Sequence, residues 1–232
     1  MLKYFILIFC YLFCKIGILN SKDIREFEVG TSIKSIPEER YTNIRCLDSE
    51  KLLKLWDDYN LCKKRKDNNF YLGFEYDDKY AFNENFEGTQ IAGHPVTINI
   101  AINKKGIIEK ITVNTDPNAP PYFKKQAHLF WMRVYSKYGS QGWECNDIEQ
   151  KKTHTIINKR YTNRICAKNL KNKKVTYHTE FYFLSNKQKK DKESLVSRTK
   201  LIISNLNLYI VNEIFIIFFY FHNFHKKLWS KP

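Results

Sequence analysis

The chain reads as an α+β domain in which an antiparallel sheet carries one long amphipathic helix. Three observations predict this class. Residues 96–113 and 175–183 alternate apolar and polar side chains with the period of a half-buried strand. Residues 121–138 switch to helical spacing. Four cysteines flank that central unit at Cys46, Cys62, Cys145 and Cys166.

In the first strand Val96, Ile98, Ile100 and Ile102 share one face and Thr97, Asn99, Ala101 and Asn103 the other. Gly106 supplies the positive φ that a hairpin turn requires. Ile107, Ile111 and Val113 resume the apolar face, interrupted by Glu109, which is expected near the turn in reach of solvent. Asp116 to Pro121 ends the strand, because proline has no N–H to give to a ladder. Pro120 and Pro121 suit a first helical turn. Phe123, Ala127, Phe130, Trp131, Val134 and Tyr138 then form one face of a helix roughly 27 Å long, closed by Gly139. Its other face carries Lys124, Lys125, Arg133 and Lys137, and the first two sit at the end of the helix where the dipole disfavours a cation.

Around this unit, residues 21–45 are expected to wrap the core as an extended segment. Asp48 or Ser49 caps a short helix through Trp56, with Leu52, Leu53 and Trp56 inward. Residues 63–67 form a charged loop, Phe70 to Tyr76 a strand and residues 77–93 a loop. Trp143 is expected to pack on a disulfide. Further strands are expected at Thr153–Ile157, Val175–Phe183 and Leu195–Ile203, with a basic linker at 186–193. The domain is placed at 24–203, between a signal peptide or anchor (1–21) and an apolar tail (204–232).

The first twenty residues combine Lys3 with an apolar run from Tyr4 to Phe13, as a secretory signal does, with an uncleaved anchor as the alternative. Export makes the even set of cysteines a disulfide framework. Cys46–Cys62 and Cys145–Cys166 are the preferred pairs because each closes a short local loop, about 3 kcal/mol apiece. A zinc site is the rival reading, although no pair has the C-x-x-C spacing that zinc favours. The tail is either a membrane segment, with Glu213 inside it, or an appendage outside the fold. The formal net charge is +15, but residues 22–186 carry only +7, against +2 for the first 21 and +6 for 187–232. Half of the basicity therefore lies outside the domain, and nucleic acid is not expected as a partner.

No recognised reaction motif is present: there is no P-loop, dinucleotide fingerprint, H-E-x-x-H or G-x-S-x-G. His94, His128, His154 and His178 are the candidate acid–base groups, none at an informative spacing from a carboxylate. Asp57–Asp58 and Asp77–Asp78 are read as solvated acids, and no metal or cofactor is expected. The favoured function is non-enzymatic: an envelope protein that binds a partner protein or an anionic surface through Lys124, Lys125, Arg133 and Lys137, with membrane association through its termini. The alternative is an extracytoplasmic hydrolase centred on His94 and the Asp77–Asp78 loop.

The pattern of Val96, Ile98, Ile100, Gly106, Ile111, Val113 and Ala127 resembles the hairpin–helix modules of bacterial envelope proteins, the TonB C-terminal domain among them. That resemblance covers about a fifth of the chain and implies protein–protein contact in the periplasm. The chain departs from it in lacking a preceding Pro-rich linker and in adding flanking cysteines. More broadly, EGTQIAGHPVTINI and YGSQGWEC within 30–184 resemble a small exported bacterial family of unknown function, which implies location and fold rather than activity.

Overall fold

Alternating β-branched and aromatic side chains dominate the chain, and strands follow from them. The computed structural model describes residues 22–77, 89–157, 159–184 and 194–206. The expected signal segment and the tail beyond residue 206 lie outside them. Ten strands occur among the described residues: β1 (Tyr41–Cys46), β2 (Phe70–Tyr76), β3 (Gln90–Ile91), β4 (His94–Ile102), β5 (Ile108–Thr115), β6 (Glu144–Asp147), β7 (His154–Thr155), β8 (Thr162–Asn169), β9 (Lys173–Leu184) and β10 (Ser194–Asn205). They form one antiparallel sheet in the order β1-β2-β4-β5-β10-β9-β8-β6, with β3 added to β4 and β7 to β9. The described residues are thus mostly β, which corrects the expected balance of α and β. The sheet consists of two four-stranded meanders, each running from an outer edge to the centre, and they meet where β5 pairs with β10.

One face of the sheet is the core. Val96, Ile98, Ile100, Ile102, Ile111, Val113, Val175, Leu201 and Ile203 are all buried there. The N-terminal segment covers them with Ile24, Phe27, Val29, Ile33 and Ile36, as its expected wrapping role requires. Glu109 departs from expectation. The β4–β5 register slips between Ala101 and Ile102, which places Ile108 rather than Glu109 in line with the core residues. Ile108 is fully buried. Glu109 is also buried, receiving hydrogen bonds from Asn103 and from Asn205 Nδ2 at 3.3 Å.

The expected single helix is not continuous. It divides into α1 (Pro121–Gln126), a 3-10 turn (Ala127–Phe130) and α2 (Trp131–Tyr138). The sheet supplies the physical reason. The His128 N–H donates to Ser197 Oγ at 3.1 Å, and the Ser197 hydroxyl donates to the Lys125 carbonyl at 3.1 Å. Thr179 Oγ1 donates to the His128 carbonyl at 2.9 Å, and Thr199 Oγ1 lies 3.1 Å from the carbonyls of Ala127 and His128. Strand hydroxyls thus take over backbone groups that a regular helix would pair with itself. Ala127, Phe130 and Val134 are the buried residues of this segment. The expected short helix ending at Trp56 is also absent. Leu53 N–H instead bonds the Ile44 carbonyl along the free edge of β1, leaving Leu52 exposed, and Trp56 opens a 3-10 turn (Trp56–Leu61).

The cysteines pair as Cys46–Cys62 and Cys145–Cys166. The first ties the end of β1 to the loop before β2, and the second joins directly opposed residues of β6 and β8. Trp143, expected on the second disulfide, stacks on Tyr135 at 5.3 Å and meets Tyr177, the residue opposite Cys166, edge-on. The opposite terminus is fastened by Asp23, which is 1% exposed. Its carboxylate accepts the Val29 N–H at 3.0 Å, the Lys173 ammonium at 2.7 Å and the Tyr138 hydroxyl at 3.4 Å. Three separate parts of the chain converge on one buried charge.

Asp23→Ala leaves the half-buried Lys173 ammonium without its partner and the Val29 N–H without its acceptor, so it should cost about 3 kcal/mol in urea unfolding of the oxidised protein. A loss near that of an exposed carboxylate would show that the N-terminal segment is not part of the cooperative fold.

Candidate functional site

Strand β10 is longer than the strand beside it. It pairs with β9 from Ser194 to Asn205 but with β5 only from Lys200 to Ser204. The chain leaves β5 after Thr115, turns through Asp116–Pro120 and enters α1. A groove of about 430 Å³ opens between them, lined by Thr115, Asp116, Lys124, Lys125 and the Leu195–Arg198 stretch of β10. Thr199 N–H donates to Thr115 Oγ1 at 3.1 Å, so it points toward β5. In an antiparallel strand alternate residues point their backbone groups the same way. The N–H and C=O of Leu195 and Ser197 therefore face the groove. They bond no other described residue there. Lys124 and Lys125 are exposed beside it.

These lysines do not stand where the sequence places them electrostatically. Because α1 ends at Gln126, they occupy its last turn, the end at which a helix favours cations. The expected mismatch with the dipole is thereby removed, and the groove becomes the feature that distinguishes them. Arg133 is exposed on α2 and acts on His94. Lys137 gives its ammonium to the Lys22 carbonyl and lies near Asp23, so it belongs to the N-terminal anchorage rather than to the groove.

The histidines divide into two groups. His94 packs edge-on against Phe130 at 5.5 Å, and burial, followed by the charges of Arg133 and His128, holds it below the ordinary histidine range. Asp77 donates its N–H to the Arg40 carbonyl, and Asp78 lies outside the described residues. His178 belongs to a polar network on the face of the sheet away from the core. Its Nδ1 lies 4.0 Å from Glu180 Oε2, and its Nε2 lies 2.7 Å from Asn163 Oδ1. Glu180 is clasped by Arg198 and accepts the Tyr182 hydroxyl at 2.9 Å. The Tyr182 ring stacks on His154 at 4.0 Å, and His154 Nδ1 lies 3.1 Å from the Tyr161 hydroxyl.

This network corrects the reading that no histidine is usefully spaced from a carboxylate. The signal was His178-x-Glu180-x-Tyr182, since residues two apart on a strand share a face. Burial pushes the Glu180 carboxyl up, but its bonds to Arg198 and Tyr182 outweigh that and hold it below the usual range. Burial and the Glu180 hydrogen bond push the Tyr182 hydroxyl up to about 12. Glu180 is thus held as an anion already engaged by Arg198. Among the described residues no group of three or more His, Cys, Asp or Glu is placed to hold a metal ion. No described helix is long and apolar enough to cross a membrane.

His94, His128 and His178 are each held below the ordinary histidine range, with burial as the first cause. The folded state therefore binds fewer protons at these sites than the unfolded chain. Stability should fall as the pH drops below about 6.5, with a second decline below about 4.5 as Glu180 is protonated. Urea titrations between those values should show the first decline, and His178→Gln should reduce it. A stability that is flat from neutrality down to the carboxylate range would contradict the histidine assignments.

Comparison with protein-family models, with curated proteins and with solved structures finds no match to this chain.

Proposed function

We propose that the protein is an exported, non-enzymatic binding protein that holds an extended, acidic segment of an envelope partner protein in the groove between α1 and β10. The observation that carries this reading is the open edge of β10. Backbone N–H and C=O groups of Leu195 and Ser197 face the groove without a partner among the described residues, and an extended peptide is the ligand whose own backbone matches them. Four strand residues span about 13 Å, so a short segment suffices. Lys124 and Lys125 on the opposite wall favour carboxylate side chains and steer them from a distance. Two disulfides fit an oxidising, extracytoplasmic compartment, and the signal-like first 21 residues supply the route to it. A hydrolase at His94 has less support, because the charges acting on that ring are cationic.

The test changes Lys124, Lys125 and Arg133 to Gln together. These side chains are exposed, so the melting temperature should move by no more than a few degrees. Binding to envelope fractions should weaken about tenfold or more at low salt, and the difference should shrink as salt rises. A second variant, Leu195→Pro, removes an N–H that faces the groove and not β9, so the sheet tolerates it while strand pairing with a partner is lost. Unchanged association in both variants would refute this reading.

A further inference from the structure

The end of the sheet remote from the groove carries a different surface. Hairpin β4–β5 turns through Asn103–Gly106, and the β1–β2 connection is drawn to the same end by the Cys46–Cys62 disulfide. Tyr59 on that connection donates its hydroxyl to the Lys104 carbonyl at 3.4 Å, and the Ile33 N–H donates to the Gly106 carbonyl at 2.8 Å. Two loops thus bring Lys63, Lys64, Lys66, Lys104 and Lys105 together, all exposed. None of the five forms an ion pair with a described residue.

Two carboxylates lie among these lysines, and the five ammonium groups outnumber them. A depression of about 700 Å³ is lined by Asp48, Lys63, Lys64, Arg65, Lys66 and Asp67. Asp48 accepts two hydrogen bonds from Arg65, at 2.9 and 2.7 Å, and the Arg65 guanidinium covers the Tyr71 ring at 4.2 Å. Asp67 accepts the Tyr71 hydroxyl and the Asn69 N–H. The Lys104 charge holds the Lys64 ammonium below the ordinary lysine range, so like charges from the two loops are crowded together. Beside them large apolar side chains stand in solvent: Leu61 is 56% exposed and Leu52, opposite Arg45, is 65% exposed.

We infer that this end of the sheet docks on an anionic lipid surface, with Lys63, Lys64, Lys66, Lys104 and Lys105 on the phosphate headgroups and Leu61 and Leu52 in the interface below them. Lysines alone would fit any polyanion. Exposed leucines beside them favour a lipid surface, where the ammonium groups meet phosphate while the apolar side chains leave water. The geometry also separates the two surfaces: β4 runs between them for nine residues, roughly 30 Å, so a docked molecule holds the α1–β10 groove away from the membrane.

The test is sedimentation of the oxidised full-length protein with two kinds of vesicle. One is phosphatidylcholine alone, and the other carries phosphatidylglycerol in about a third of its lipid. The parent should bind the anionic vesicles more tightly, with the preference lost at high salt. Lys64→Gln with Lys104→Gln and Lys105→Gln should weaken that binding about a hundredfold, and Lys63→Glu with Lys66→Glu should do so from the other loop. Leu61→Ser should weaken it several-fold at unchanged charge. The Lys124, Lys125, Arg133 variant should bind anionic vesicles like the parent, which separates this surface from the groove. Equal binding to both vesicle types would assign membrane contact to the apolar termini and overturn the inference. So would parental binding by both lysine variants, or loss of binding in the groove variant instead.

Discussion

The pairing of β10 with two partners at once is the constraint on which the rest of the structure depends. β10 joins β9 along its whole length and β5 along five residues, and only that second pairing unites the two meanders in one sheet. Its inner face supplies Leu201 and Ile203 to the centre of the core, and its Ser197 and Thr199 hydroxyls fasten the helical segment. The contact is long-range, since β5 and β10 lie more than eighty residues apart in the chain, so the first meander cannot complete its burial until the last described strand arrives.

The groove and the broken helix follow from the same strand. β5 stops because Asp116–Pro121 cannot continue a ladder, whereas β10 is sustained for six further residues by β9. The unmatched length is the open edge. The helical segment crosses next to it, and the hydroxyls of β9 and β10 draw its backbone out of regular hydrogen bonding at Ala127–Phe130. That interruption places Lys124 and Lys125 in a terminal turn beside the edge. A continuous helix would have carried them as ordinary solvated residues.

Much of the central architecture was legible. Period-two patterning located β2, β4, β5 and β9, and the spacing of Ala127, Phe130 and Val134 located the buried face of the helical segment. The cysteine pairing followed from loop length. Other elements carried no periodic signal. β6 is exposed along its length and β8 holds few apolar residues, so both are defined by their neighbours rather than by a face of their own. The bulge that exchanges Ile108 for Glu109 is a register event, invisible without the partner strand. The open edge was illegible for a similar reason, since it depends on the relative lengths of two distant strands. The Glu180 network was legible in part, through His178-x-Glu180-x-Tyr182, but Asn163 and Arg198 reach it from other strands.

Native-state hydrogen exchange on the oxidised protein tests the central role of β10 most directly. The account predicts that amides of Val113 in β5, Leu201 in β10 and Tyr177 in β9 exchange only through global unfolding, with one common free energy and one denaturant dependence. The Ser197 amide, facing the groove, should exchange much faster on the same strand. If β9 and β10 instead opened together at a lower free energy than β4 and β5, the two meanders would be separate cooperative units and the seam would not be what unites the fold.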